Sequence, residues 1–216
     1  RSLVGSEMCI RDSPSCNYFT RKLKGIVLAT CTEHTVMLNC IKTGIQYGGM
    51  TMLTEEQKRM HRVCFTGHRP EKLKQSESVI VKAMETAIKE AIADGKNVFI
   101  SGMARGVDIW AAEIVLRLRK EGANVKLICA SPYEGFERGW SAEWQRRYNV
   151  ILAAADLVRF ICPGYSRACF QIRNEWMVDH SALVIAVFNG QPSGTKNTID
   201  YAKRKSVPCW NILSET

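Results

Sequence analysis

From Arg62 onward, short continuous apolar runs alternate with longer stretches of helical period. VCFTG (63–67) precedes SESVIVKAMETAIKEAIADG, NVFISG (97–102) precedes VDIWAAEIVLRLRKEG, and VKLICASP (125–132) precedes a helix through AEWQRRYNVILAAAD. LVRFIC (157–162) then leads to a helix through QIRNEWMVDHS, ALVIAVFNG (182–190) leads to TIDYAKRKS, and PCWNIL closes the pattern. Five strand-then-helix units and a last strand predict an α/β domain with a mainly parallel sheet. VFIS and LVIAVF are apolar without a break, as in strands covered by helices on both faces. With right-handed crossovers this is a Rossmann-like, doubly wound, three-layer architecture. Helix ends fit the segmentation: Ser76 or Ser78 can start the first helix and Asp94-Gly95 ends it, Glu121-Gly122 ends the second, and Ser141 begins the third.

Ahead of that rhythm the texture changes. From Arg1 to about Met50 neither period is sustained, and polar residues mix with scattered cysteines. The opening RSLVGSEMCIRDS resembles translated sequencing-adapter read-through, which would make Met50 or Met52 the true start. The expected division is therefore an N-terminal extension over 1–60, disordered or non-native, and a domain over 61–216. Cys31, His34 and Cys40 have no C-x-x-C pair beside them, so no metal site is expected.

Composition narrows the class. The 216 residues are 46% hydrophobic and 24% charged, which suits a soluble globular protein. No apolar run approaches the roughly 20 residues that cross a bilayer, and the first segment has no continuous apolar core of a signal peptide. Nine cysteines, with Cys64, Cys129, Cys162 and Cys209 inside apolar runs, read as reduced buried thiols and hence a cytoplasmic setting. The formal charge of +9 favours anionic partners. The cations are scattered, however, and the clusters at Arg117–Lys120 and Lys203–Lys205 suit helix C-termini.

In an open parallel sheet ligands bind where strands end and loops enter helices. The chemistry-bearing residues fall there: Gly67, His68 and Arg69 after the first strand, and Ser101, Gly102, Arg105, Gly106 and Asp108 after the second. Tyr133 follows the third strand, and Asn189, Gly190, Ser193, Gly194 and Thr195 follow the fifth. Gly102 and Gly106 would bring backbone N–H groups close to a phosphate, or simply make a tight turn. The following helix directs its N-terminal dipole to the same place, and Arg105 adds a fork of donors. Asp108 repels phosphate, which leaves it to cap the helix or to accept from a ribose hydroxyl. Ser193-Gly194-Thr195 repeats the logic at another helix start. His68 is a packing or a ligand-contacting residue. Arg173 either reaches the crevice or pairs with Glu175 or another surface carboxylate. Trp110, Trp140, Trp144 and Trp176 supply core, although Trp140 and Tyr133 could stack on a base.

FTGHRPEKL, SGMARGVDIWAAE, the SPYEG turn with Trp140, RNEWMVDHS and NGQPSGTKNTIDYA, in that order, resemble the YpsA-type branch of the SLOG superfamily. That superfamily joins the DNA-processing protein DprA/Smf and the LOG nucleotide hydrolases, and the resemblance covers about Val63 to Leu213. It implies a Rossmann-like fold and a site for a nucleotide or nucleotide-derived ligand, ADP-ribose for example, with the protein as its sensor or processor. It implies no established reaction. LOG enzymes cleave the base–ribose bond with an arginine in R-K-x-x-M and a glutamate in G-G-x-G-T-x-x-E. Arg173 with Met177 resembles the first motif and Gly194-Thr195 part of the second, but Thr198 stands at the glutamate position. A ribosyl cation would then lack its nearby carboxylate, at a cost of several kcal/mol in the barrier. DprA proteins carry a similar SGMARGVD and bind single-stranded DNA.

The sequence expectation is thus a nucleotide-like small molecule as ligand. A DprA-like single-stranded nucleic-acid module and a LOG-like N-glycosidic hydrolase are the alternatives. A homo-oligomer is compatible with all three, and neither a resident cofactor nor a membrane partner is expected.

Overall fold

The computed structural model describes residues 53–213, so the expectations for the adapter-like opening and for Cys31, His34 and Cys40 lie outside the described residues. Six strands form one sheet: β1 (Arg62–Gly67), β2 (Val98–Ser101), β3 (Lys126–Ser131), β4 (Leu157–Phe160), β5 (Leu183–Val187) and β6 (Cys209–Asn211). Every pairing is parallel, and the spatial order is β4-β3-β2-β1-β5-β6. The protein has the three-layer Rossmann-like fold.

Side-chain alternation along the strands builds two cores. Val63, Phe65, Phe99, Leu127, Leu183 and Ile185 face one side. There they meet α2 (Glu77–Ala93), α3 (Val107–Lys120) and α4 (Ala142–Ala154). Cys64, Ile100, Ile128 and Val184 face the other side, covered by α5 (Cys169–Asp179) and α6 (Gly194–Arg204) through Met177, Val178 and Ala202. Since neighbouring strand residues point to opposite faces, a strand buried on both faces must be apolar throughout. β5, buried at all five positions, is such a strand.

Topology decides where a ligand can sit. The chain steps outward from β1 to β4 and then returns to the opposite side of β1 for β5. The connections leaving β1 and β5 therefore diverge to opposite faces and open a crevice between them at the strand carboxyl ends.

The described residues begin ahead of the expected boundary at residue 61. A short helix, α1 (Glu55–Met60), is held by a reciprocal capping box between Thr54 and Gln57. Arg59 Nε of this helix donates to the Ser181 carbonyl at 3.0 Å, which ties it to the base of the sheet. The thiols of Cys64, Cys129, Cys162 and Cys169 are free and buried, and Cys209 is free and half-buried. Burial pushes the Cys64 and Cys129 thiols up to about 12, so both stay protonated. No helix among the described residues is long and apolar enough to cross a membrane.

Candidate functional site

A cavity of about 250 Å³ lies over the β1–β5 switch point. Of the residues expected at a site, Gly67, His68, Arg69, Arg105, Asp108, Arg173, Ser193, Gly194 and Thr195 line it. The segments opening α3 and α6 thus contribute to one hollow. Ser193 is the N-cap of α6, its Oγ accepting the Lys196 N–H at 3.2 Å. The N–H groups of the first turn have no carbonyl partner within the helix.

Beneath the hollow sits a buried ion pair. Arg173 Nη1 donates to Asp108 Oδ2 at 3.2 Å, and the same oxygen accepts the Ala104 N–H at 3.2 Å. Both side chains are over nine-tenths buried. Burial raises the Asp108 carboxyl above its ordinary range, against the pull of Arg173 and the Ala104 amide. The carboxylate partner of Arg173 is therefore the buried Asp108; Glu175 instead accepts from Gln171. Arg173 Nε lacks a protein partner, as does Nε2 of the buried His68. His68 stacks on Phe188 with centroids 5.5 Å apart. Burial, aided by Lys72, lowers its pKa and keeps the ring neutral at pH 7.

The remaining expected residues do not line the cavity: Ser101, Gly102 and Gly106 are buried, Tyr133 is half-buried, and Asn189 and Gly190 are exposed. Ser101 is wholly buried; its Oγ donates to the Asp108 carbonyl at 2.8 Å and accepts the Met103 N–H at 3.1 Å. Gly102 makes room for the ion pair, because a Cβ there would lie 1.5 Å from Arg173 Nη1. Gly106, at φ +88°, precedes α3 and abuts Pro70, whose Cδ would be 2.7 Å from an added Cβ. Asn189 braces its loop, donating to the Lys72 carbonyl at 2.9 Å and accepting the Gln191 N–H at 3.1 Å. Gly190 turns that loop at φ +86°. Tyr133 belongs to an aromatic cluster with Phe136, Tyr165 and Phe170.

Lys72, Phe136, Phe170 and Asn174 line the cavity without having been singled out in the sequence. Lys72 lies in a one-turn 3-10 helix, Pro70–Lys72, begun by the proline; Phe136 opens another, Phe136–Gly139. Neither turn has a periodic pattern long enough to place its side chains. Thr198, at the position of the LOG glutamate, is buried and donates its Oγ1 to the Gly194 carbonyl at 2.9 Å. Asp200 is held by Lys196 on the outer side of α6.

The charges around the hollow are unequal. Arg69, Lys72, Arg105 and Arg173 face it, against Asp108 alone. Arg173 is neutralised by Asp108, and Arg105 is partly so by Glu71 at 3.2 Å. Arg69 and Lys72 have no ion pair among the described residues, so the mouth keeps a positive field.

The family model described as YspA SLOG family (YpsA) matches residues 63–212. The chain belongs to the YspA SLOG family. It is 34% identical over 147 residues to the SPbeta prophage-derived protein YoqJ of Bacillus subtilis (strain 168), covering 62% of this chain and 84% of YoqJ. A UPF0398 protein of Bacillus thuringiensis (strain Al Hakam) is 32% identical over 130 residues, covering 58% of this chain and 70% of that protein. Among solved structures, DNA processing protein A of Helicobacter pylori, described for its single-stranded DNA binding mode, superposes with a TM-score of 0.50 at 19% identity. That match covers 72% of this chain and 66% of the neighbour, just under two thirds, and it shows the fold that this SLOG protein shares with it.

Proposed function

We propose that this SLOG domain binds the phosphate of a nucleotide-like small molecule in the cavity over the β1–β5 switch point. The observation that carries the reading is the set of four cationic side chains against one carboxylate, gathered where helix α6 opens. Helix-opening amides favour an anion through their unpaired N–H groups and the helix dipole. Arg69, Lys72 and Arg105 add charge at the mouth, and charge-assisted hydrogen bonds to phosphate are about twice as strong as neutral ones. Asp108 is committed to Arg173 through Oδ2, which makes it the anchor of the site floor before it is a partner for ribose. The cavity of about 250 Å³ is at or below the small end of ordinary ligand pockets and has room for one phosphate with its sugar.

Hydrolysis by the LOG route is not part of the proposal, since Thr198 turns its hydroxyl back into the helix and offers no carboxylate. The single-stranded DNA reading draws on the shared fold and the cationic mouth. It predicts affinity for single strands that falls steeply with salt.

Calorimetric titration of AMP, NAD, ADP-ribose and pentathymidylate, the last at two salt concentrations, separates these readings. AMP binding should weaken at least about tenfold in Arg69→Ala and in Arg105→Ala, each of which removes a charge-assisted contact. Both are solvent-facing enough to be lost without dismantling the fold, whereas Gly106→Ala strains the backbone and strikes Pro70. Equal AMP affinity in wild type and both variants would put the site elsewhere.

A further inference from the structure

The wall of the cavity on the β3–β4 side is aromatic. Phe136 and Phe170 both line the hollow, with ring centroids 5.6 Å apart and planes tilted by 60°. Tyr133 packs edge-on against both, at 5.7 and 6.5 Å. Tyr165 lies 6.0 Å from Tyr133 and 6.5 Å from Phe170, and it is 69% exposed. On the inner side Trp140 meets Phe136 at 4.9 Å and the buried Tyr148 at 5.6 Å. Tyr148 is fixed in turn by a 2.7 Å hydrogen bond between its hydroxyl and Ser131. The cluster runs from core to solvent, so Phe136 and Phe170 are packed against other rings without any ligand.

A phosphate has no use for such a wall. Inorganic phosphate or a sugar phosphate would be held by Arg69, Lys72 and the opening of α6, all on the β1–β5 side of the hollow. An aromatic surface on the other side suits a flat, weakly hydrated group carried by the same ligand, and a nucleobase has that chemistry. Cation sites and aromatic wall share one cavity of about 250 Å³, so one ligand can reach both. We infer that Phe136 and Phe170 form a base-stacking subsite, so that the ligand is a nucleoside monophosphate, free or at one position of a single strand. This inference rests on the phosphate reading and adds the base to it.

Stacking on an aromatic ring is sequence-tolerant, so the wall sets the ligand class without choosing among bases. Asn174 also lines the hollow and carries the amide donors and acceptor that reading a base edge requires.

The experiment compares AMP, ribose 5-phosphate, adenosine and pentathymidylate by calorimetry on wild type, Phe170→Leu and Phe136→Leu, with circular dichroism to verify folding. Leucine keeps an apolar group of similar reach and removes the π-face. AMP should bind wild type at least about tenfold more tightly than ribose 5-phosphate, and that ratio should shrink towards one in either variant. Ribose 5-phosphate itself should bind wild type and variants alike. An AMP preference that is absent from wild type, or unchanged in both leucine variants, overturns the stacking subsite while leaving the phosphate site standing. Adenosine binding as well as AMP, with loss in the leucine variants, keeps the stacking wall and removes the phosphate reading. If none of the four compounds binds wild type, both fall. Pentathymidylate binding at least about tenfold tighter than a mononucleotide assigns the subsite to strands, and equal or weaker binding assigns it to the free nucleotide.

Discussion

Gly102 has no room for a side chain. A Cβ there would fall 1.5 Å from Arg173 Nη1 and 2.7 Å from Asp108 Oδ2, and neither group can retreat, because both are buried. An ion pair formed across 65 residues of sequence is enough to require the glycine. Removing one partner of a buried pair costs about 3–5 kcal/mol, and forcing extra volume into a packed interior costs about 1–3 kcal/mol. Gly102→Ala should therefore lower the unfolding free energy by about 3 kcal/mol in urea denaturation. Gly139→Ala is the control, since nothing lies within 4 Å of its added Cβ and its φ is not positive. A Gly102→Ala protein as stable as the control would mean that Arg173 and Asp108 are not paired where they stand here.

Elements were legible in the sequence to the extent that periodicity reaches. All six strands and the five long helices follow from alternating apolar runs and amphipathic stretches, as do the turns at Gly95 and Gly122. Helix α1 was missed although Thr54 and Gln57 spell a capping box, because six residues give no repeat of the helical period. The candidate site was legible in its loops and not in its walls. Loops after strands announce themselves by glycine, serine and arginine; Phe136 and Phe170 look like ordinary core residues until the fold brings them to the hollow. The pairing of Arg173 with Asp108 rather than Glu175 was invisible for the same reason, since nearness in sequence favours the wrong carboxylate. At the opening of α6, cap and proposed anion site share one residue and can be separated. Ser193→Ala should cost about 1 kcal/mol of stability through loss of the cap. Ser193→Asp keeps a capping oxygen and should leave stability near wild type, yet it puts a negative charge in the cavity and should abolish AMP binding. Denaturation curves and calorimetry on the two variants test this together. Ser193→Asp binding AMP normally would exclude the α6 opening from phosphate contact.

The sheet order makes one crevice, and the charge distribution makes it attractive to anions. The sequence carries a formal charge of +9, and at the mouth of the hollow Arg69 and Lys72 are left unpaired among the described residues. Cations held close together without partners repel each other, so the free protein gives up some stability that a bound anion restores. A ligand that binds only the folded chain stabilises it by about 2.7 kcal/mol at a free concentration of one hundred times Kd. For a domain of this size each kcal/mol moves Tm by about 2–4 °C, so AMP at that excess should raise Tm by about 5–10 °C. The rise should diminish as ionic strength increases, because the mouth is open to solvent and exposed charges are screened over about 8–10 Å near physiological salt. In an Arg69→Ala, Lys72→Ala double variant the free protein should melt at or slightly above the wild-type temperature, with the repulsion relieved, while the AMP-dependent rise should be lost. Thermal scans at two salt concentrations distinguish this from a structural role for the two cations. Were the double variant to melt several degrees lower and keep its response to AMP, the pair would be holding the fold together and the phosphate would have to be bound elsewhere.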